Sequence, residues 1–564
     1  MPTITVSYND LISLIGKEIP LETIEDRLFY IKAEVEDITP IYGSKNEVID
    51  HDLQVEITSD RPDLLSASGL ARVLKGVFEI EMGLQKFDVE PSGIQCTVDS
   101  SVLDVRPYIV CGVVKNVHLT DALVRQLMQL QEKIHDTHCR RRRKGSIGLH
   151  NLDAVEPPFA YLAEKPENIN FVPLNETEKM NGYEILREIP KGRDYAHIIS
   201  DFDRYPLLVD KNGDVLSLPP IINGNLTRVD MDTRNLFFDV TGTDEYIIIY
   251  ALHILLADLY DRGAKIESVE ILYPDKTPEV YPNFTPTEMN LSLKNTNELL
   301  GFGLNLNDLT TILKKMRFDS KEIDDDTLEV LVPVYRPDFL HEVDIIEDVS
   351  IGYGYDIMEP ELPQSMTVGG ELPLSTFERK IKDLMVGMGF QEILNYVLTN
   401  KHDLETIRSF TESNEITEIA NPVSEKYTFI RNQLLPGLIN FLNKNTHSAF
   451  PQKIFEIGPV GIPDSSVINK VRTVSRIAAA ITDYATSYEH IQAVVGGLLN
   501  NLGVPFELKT AVNPSFLEGR VAEVFVKGNK VGVLGELHPE VLLKFKLENP
   551  TAVFEIEELP LFEA

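Results

Sequence analysis

Two stretches of the chain repeat each other, and this limits its folding more than any other feature. Leu14-Ile15-Gly16, Ile19, Leu21, Ile24 and Leu28 match Leu299-Leu300-Gly301, Leu304, Leu306, Leu309 and Leu313 at a constant offset. Arg61-Pro62-Asp63-Leu64-Leu65 then matches Arg336-Pro337-Asp338-Phe339-Leu340, with roughly ten residues fewer in between. Two copies of a small helix-and-strand domain, set far apart in sequence, exclude a single large domain. At roughly 150 residues per domain, 564 residues correspond to three or four domains. Boundaries fall at Pro91-Ser92-Gly93, at Pro274 to Pro286 and at Pro360 to Pro373 with Gly369-Gly370. The expected organisation is α+β and multidomain, with the first copy over 1–88, a mixed α/β domain over 89–273, the second copy over 281–358 and a further domain over 366–564. This last stretch alternates helical runs such as Phe377 to Met388 with strand-like runs such as Lys453 to Ile457 and Val521 to Val526.

Within 89–273 the clearest local signal is Lys211-Asn212-Gly213-Asp214 between two apolar runs. Asn-Gly suits a two-residue hairpin turn with positive φ at both central positions, and such a turn pairs Leu208 with Ser217.

The densest cluster of chemistry-bearing side chains lies in RPDFLHEVDIIEDVSIGYGY. Asp344, Glu347 and Asp348 stand at i, i+3 and i+4, so a helix is expected to place them on one face. Like charges at that spacing cost about 0.2–0.5 kcal/mol per pair unless neutralised, and Asp338 adds a fourth carboxylate. A hard cation such as Mg²⁺ is content with one or two carboxylates plus water or groups from a partner chain. A solvated acidic face is the alternative. The first copy keeps Asp63 but has Gly69, Arg72 and Val73 at the other three positions. The fold therefore does not require the acids, and metal binding, partner binding and solvation all remain open.

A formal charge of −35, from 53 Lys+Arg against 88 Asp+Glu, repels polyanions and disfavours a DNA-binding scaffold. Any nucleic acid must meet a local basic patch. The dense one is Arg140-Arg141-Arg142-Arg143-Lys144, suited either to phosphates or to the acidic surface of a partner. GxxxxGK[ST], HExxH and GxSxG are absent from the sequence. His447 and His538 read as surface or core residues. Cys96, Cys111 and Cys139 are widely spaced and support neither a disulfide framework nor a zinc site. The apolar run Tyr246 to Tyr260 is broken by His253 and Asp258, and no export signal is evident, so a cytoplasmic protein with no membrane span is expected.

The succession SDRPDLLSASGLAR (59–72), CRRRRKGSIGLHNLD (139–153), LSLPPIING (216–224), TRNLFFDVTGTD (233–244), VYRPDFLHEVDIIEDVSIGYGY and FIRNQLLPGLINFL resembles the β chains of phenylalanyl-tRNA synthetases from archaea and eukaryotes. The bacterial β chains carry an inserted oligonucleotide-binding domain and a terminal anticodon-binding domain, for which this shorter sequence has no room. The resemblance implies an α₂β₂ tetramer acting on tRNA(Phe), with ATP and phenylalanine bound by the α subunit. It implies that 89–273 is a tRNA-editing domain. It also implies Mg²⁺ on Asp338, Asp344, Glu347 and Asp348, the last replacing a commoner glutamate. The domain over 366–564 is then similar to a class II synthetase antiparallel-sheet core that has lost its catalytic motifs. A working core needs an arginine two residues before a strand glutamate, yet Ile454 precedes Glu456. It also needs a glycine-bearing strand leading to an arginine, yet Val531 to Glu536 leads to His538 and Pro539.

Editing follows from the limits of binding. An apolar pocket built for phenylalanine rejects an analogue that merely adds a hydroxyl by only about a hundredfold, so tyrosine is sometimes attached and must be removed at a second site. The resemblance places Leu208, Ser217, Arg228 and Thr241 around the esterified amino acid, with Asn223 nearby. Two other classes compete: a free-standing deacylase, for which a long fourth domain has no task, and a nonenzymatic scaffold. Copurification of an equimolar second chain separates the ligase subunit from both.

Overall fold

The computed structural model describes residues 1–274, 277–407 and 416–564, so residues 275 and 276 of the Pro274 to Pro286 stretch lie outside the described residues. The chain forms two compact units, Met1–Glu361 and Leu362–Ala564.

In the first unit the repeat becomes two domains with one plan. The first runs β1 (Thr3–Ser7), α1 (Tyr8–Ile15), α2 (Leu21–Phe29), β2 (Ala33–Tyr42), β3 (Val48–Ile57) and α3 (Ala67–Val77). Its sheet order is β1-β3-β2. The side chain of Ser7 caps the start of α1, and Gly16 ends it at φ 79°, a conformation that costs glycine nothing. Of the matched apolar positions, Ile24, Leu28, Leu309 and Leu313 are fully buried in the core, whereas Leu299 is exposed.

Between the copies lie β4 (Val89–Val98), β5 (Tyr108–Lys115), α4 (Asp121–Asp136), β6 (Gly145–Asn151), β7 (Phe159–Glu164), α5 (Gly182–Glu188), α6 (Pro190–Tyr195), β8 (Tyr205–Val209), β9 (Val215–Leu218), β10 (Ile222–Asn223), β11 (Leu236–Gly242), α7 (Glu245–Asp261), β12 (Lys265–Leu272) and β13 (Glu279–Tyr281). They build one sheet in the order β10-β9-β8-β7-β4-β12-β5-β11-β6, with β13 on β12. β4 runs parallel to both β12 and β7, and the other pairs are antiparallel. The apolar run Tyr246 to Tyr260 is the body of α7 and is a core helix. His253 and Asp258 are buried with it, and among the described residues no helix is long and apolar enough to cross a membrane.

The second copy repeats the plan as β14 (Thr287–Ser292), α8 (Leu293–Leu300), α9 (Leu306–Lys315), β15 (Asp319–Glu322), β16 (Thr327–Val332) and α10 (Glu342–Tyr353). Its sheet order, β14-β16-β15, is the equivalent one, and Gly301 ends α8 at φ 74°.

The expected hairpin is present with a different turn. Leu208 faces Ser217, but a bulge follows and Val209 pairs with Val215. The loop is longer than two residues, and of the Asn-Gly pair only Gly213 has positive φ. The Asp210 carboxylate accepts from the backbone N–H groups of Asn212 and Asp214. A side chain thus closes the turn that the Asn-Gly signal assigned to the backbone alone.

The second unit holds a seven-stranded sheet with strands in the order Gln391–Glu392, Gln452–Pro463, Val471–Thr482, Thr551–Glu557, Asn529–Leu537, Phe516–Val526 and Phe506–Thr510. Its one parallel pair is the first.

Candidate functional site

The acidic helix is α10, and its carboxylates do not converge. Asp348 turns inward, 1% exposed, while Glu347 is exposed. Arg336 donates to Asp338 at 2.9 and 2.7 Å and to Asp348 at 2.9 and 3.0 Å. Burial pushes the Asp338 carboxyl up, but the charge and hydrogen bonds of the adjacent Arg336 guanidinium outweigh this and hold it below the usual range. Asp344 accepts from the N–H groups of Leu340 and His341, both at 2.7 Å, as half of a capping box. Glu347 pairs at 2.8 Å with Lys32 of the first copy. Among the described residues no group of three or more His, Cys, Asp or Glu side chains is arranged to hold a metal ion. The expected common face fails because Glu347 and Asp348, being consecutive, point about 100° apart around the helix. The four acids do not fit a single metal as one ligand set.

The first copy explains the inward pair. Arg61 grips Asp63 at 2.8 Å through two nitrogens, as Arg336 grips Asp338. With Val73 in place of Asp348, Arg61 has one carboxylate where Arg336 has two.

The large concavity lies elsewhere, a cavity of about 430 Å³, within the size range of small-ligand sites. One face of α4 lines it with Leu127, Gln131 and Glu132; β6 supplies Ser146 to Leu149; and the segment from Ser217 through Val229 closes it. Of the five residues assigned to a pocket, Ser217, Asn223 and Arg228 line this cavity. Among the described residues the buried Ser217 hydroxyl has no hydrogen-bond partner. Leu208 and Thr241 lie beneath the lining, both fully buried. Thr241 Oγ1 is 3.0 Å from Ser146 Oγ and accepts from Arg106 at 3.0 Å. Burial lowers the Arg106 guanidinium to about 10, and its hydrogen bonds to the Thr241 hydroxyl and to the carbonyls of Thr241 and Arg143 bring no countercharge.

Sequence reasoning missed a buried acidic side chain in the lining. Asp239 is buried and lines the cavity. Its Oδ2 lies 2.7 Å from His150 Nε2, and His150 Nδ1 lies 2.7 Å from Thr227 Oγ1. Gly148, opposite Asp239 in the β6–β11 pairing, makes this possible: a Cβ there would stand 1.9 Å from Asp239 Oδ2. A signal existed, a single aspartate between Phe238 and Val240 in a strand with no other charged residue. The cavity can enclose an apolar ring and offer a buried carboxylate to a hydroxyl upon it.

The arginine patch splits. Arg140, Arg141 and Arg142 all have positive φ, at 52°, 52° and 62°, a left-handed turn that costs roughly 1–2 kcal/mol per residue. Arg142 is buried and lines the cavity. It donates to the carbonyls of Pro220 and Ile221 at 3.1 Å and to Glu132 at 3.0 Å, and its guanidinium lies 4.5 Å above the Tyr195 ring. Lys191 shares Glu132 at 2.8 Å.

In the second unit Glu456 is buried and pairs with Arg431 at 2.6 Å, while Asn395 donates to it at 2.7 Å. Arg476 pairs with Glu555 and Glu557, and Arg520 with Glu536. His538 caps the helix Pro539–Lys544.

Comparison with known proteins covers the chain almost end to end. Residues 1–79 match the family described as Phe-tRNA synthetase beta subunit B1 domain, 289–355 the tRNA synthetase B5 domain, and 358–557 the phenylalanyl tRNA synthetase beta chain CLM domain. The phenylalanine–tRNA ligase β subunit of Methanococcoides burtonii is 39% identical over 99% of both chains. That of Korarchaeum cryptofilum is 40% identical over 99% of this chain and 98% of its own, and that of Pyrococcus furiosus 38% over the whole of both. An N-terminal fragment of the phenylalanyl-tRNA synthetase β subunit from Pyrococcus horikoshii, a crystal structure, is 39% identical and covers 63% of this chain and all of its own, with a TM-score of 0.60.

Proposed function

The chain belongs to the archaeal and eukaryotic-type family of phenylalanyl-tRNA synthetase β subunits, and from that premise we propose that its cavity removes tyrosine wrongly attached to tRNA(Phe). The protein is the obligate β subunit of phenylalanine–tRNA ligase, working in an α₂β₂ assembly on tRNA(Phe). A cytoplasmic site of action is part of this proposal; the three cysteines are free and buried.

The observation that carries the editing reading is Asp239, a buried carboxylate in the lining of a cavity large enough for a tyrosyl ester. A phenol hydroxyl donating to it gains a charge-assisted hydrogen bond. Phenylalanine would exclude water from the same carboxylate without supplying that donor, leaving it only its contact with His150, at a cost of about 1–3 kcal/mol or more. Ser217, Asn223 and Arg228 bring polar groups to the rest of the ester, and Thr241 supports the wall through Ser146. Hydrolysis of tyrosyl-tRNA(Phe) by the assembly, with phenylalanyl-tRNA(Phe) spared, is the test. Equal rates on both would sink the reading.

The second unit we read as a class II core without activity. Ile454 stands where an α-phosphate arginine is needed, and Arg431, Arg476 and Arg520 are each engaged by the unit's own carboxylates. A triphosphate would find these three arginines already occupied and not free to act as the cationic clamps that stabilise charge in the transition state. The isolated chain is therefore expected to show no phenylalanine-dependent ATP–pyrophosphate exchange, restored on adding the α subunit. Robust exchange by the β chain alone would overturn this assignment.

Magnesium we assign to the half-buried Asp344 and the exposed Glu347 alone, with water and groups of the α subunit supplying further oxygens. Asp338 and Asp348 are engaged by Arg336. Asp344→Ala with Glu347→Ala is expected to loosen Mg²⁺-dependent assembly of the two subunits. An assembly indifferent to both chelator and substitution leaves these acids as a solvated face.

A further inference from the structure

The editing reading leaves unexplained why arginines occupy a turn whose backbone favours glycine. Three consecutive residues with φ between 52° and 62° call for glycine or asparagine, yet the sequence has arginine at all three. Arg142 has a structural reason, since its guanidinium is buried against Glu132, Tyr195 and the carbonyls of Pro220 and Ile221. Arg140, Arg141 and Arg143 have none of that kind. All three are exposed, and among the described residues none of them forms an ion pair, although the chain carries 88 acidic residues against 53 basic ones. Unpaired guanidiniums persisting against backbone preference in so acidic a chain point to an anion from outside.

The turn's position says which anion. It joins α4 to β6, and both of these elements wall the cavity. Arg142 fastens its middle to the cavity lining, while Lys191 and Arg228 bring two more cations to the same cavity. An aminoacyl ester entering the cavity is the end of a polyanion, whose phosphates must pass beside its mouth.

We propose that the Arg140–Arg143 turn is a phosphate-docking site for the RNA strand whose aminoacylated end enters the cavity, with Arg140, Arg141 and Arg143 as contacts and Arg142 as their anchor. This rests on the editing reading. The site recognises backbone charge without reading sequence, as contacts from side chains to phosphate do. A protein partner with an acidic surface is the competing occupant.

The test uses the assembled α₂β₂ enzyme carrying Arg140→Gly and Arg141→Gly, substitutions that relieve the left-handed backbone and so preserve folding. KM for tyrosyl-tRNA(Phe) deacylation is expected to rise about tenfold with kcat held. The slope of log(kcat/KM) against log[salt] should become shallower by about 1.4–1.8 for two lost phosphate contacts. Turnover of 3′-O-tyrosyl-adenosine, which has no phosphate, should not change. Arg140→Lys with Arg141→Lys should retain the salt slope, since charge and not shape is required. Unchanged KM and slope in the glycine variant overturn the proposal. So does looser co-elution of the α subunit with unaltered tRNA kinetics, which would assign the arginines to a protein interface. If the unaltered enzyme fails to hydrolyse tyrosyl-tRNA, the cavity reading falls by itself. The salt slope for binding uncharged tRNA(Phe) still decides the arginines: shallower in the glycine variant supports them as phosphate contacts, and an identical slope overturns them.

Discussion

Asp239→Ala in the assembled enzyme should slow hydrolysis of tyrosyl-tRNA(Phe) about ten- to 150-fold, the equivalent of about 1.5–3 kcal/mol for one hydrogen bond to a charged group. Phenylalanine attachment should be unchanged, because the proposed division of labour assigns activation to the α subunit. The alanine also removes the carboxylate beside His150, whose Nε2 lies 2.7 Å from Asp239 Oδ2. Asp239→Asn separates the two effects. It keeps the shape and an oxygen for one neighbour but removes the charge, so a fold intact by thermal melting with most of the hydrolysis lost identifies the charge as the working part. If both variants hydrolyse tyrosyl-tRNA at the unaltered rate, the carboxylate does not recognise the hydroxyl and the cavity serves another ligand.

Arg336→Leu should destabilise the first unit by about 3–5 kcal/mol, the cost of leaving a buried charge without its partner. Two carboxylates, Asp338 and Asp348, depend on that one guanidinium, and Asp348 is 1% exposed. The repeat supplies the control. Val73 already occupies the position equivalent to Asp348, and there Arg61 and Asp63 still form a buried pair with both contacts at 2.8 Å. Asp348→Val should therefore cost much less than Arg336→Leu, leaving the second copy with the arrangement of the first. Urea unfolding midpoints of the two variants make the comparison. Equal losses would mean that Asp348 is needed for something the first copy lacks.

The sequence alone determined the plan of both small domains, because its signals are local. A serine that caps, a left-handed glycine that stops and leucines at helical spacing act over one or two turns, and each gives the same result at Gly16 as at Gly301. It also determined that Leu208 faces Ser217, since strand alternation leaves little choice once a turn is placed nearby. Helical spacing misled about α10: it grouped Asp344, Glu347 and Asp348, but a rotation of about 100° per residue let packing turn Asp348 toward Arg336 and leave Glu347 outside. Only the tertiary structure decided that Arg142 points inward while its neighbours face water, because the carbonyls of Pro220 and Ile221 that receive it come from a distant loop. It alone placed Asp239 beside His150, 89 residues away. That contact depends on the register of β6 against β11 and on the absence of a side chain at Gly148, and no local spacing encodes either.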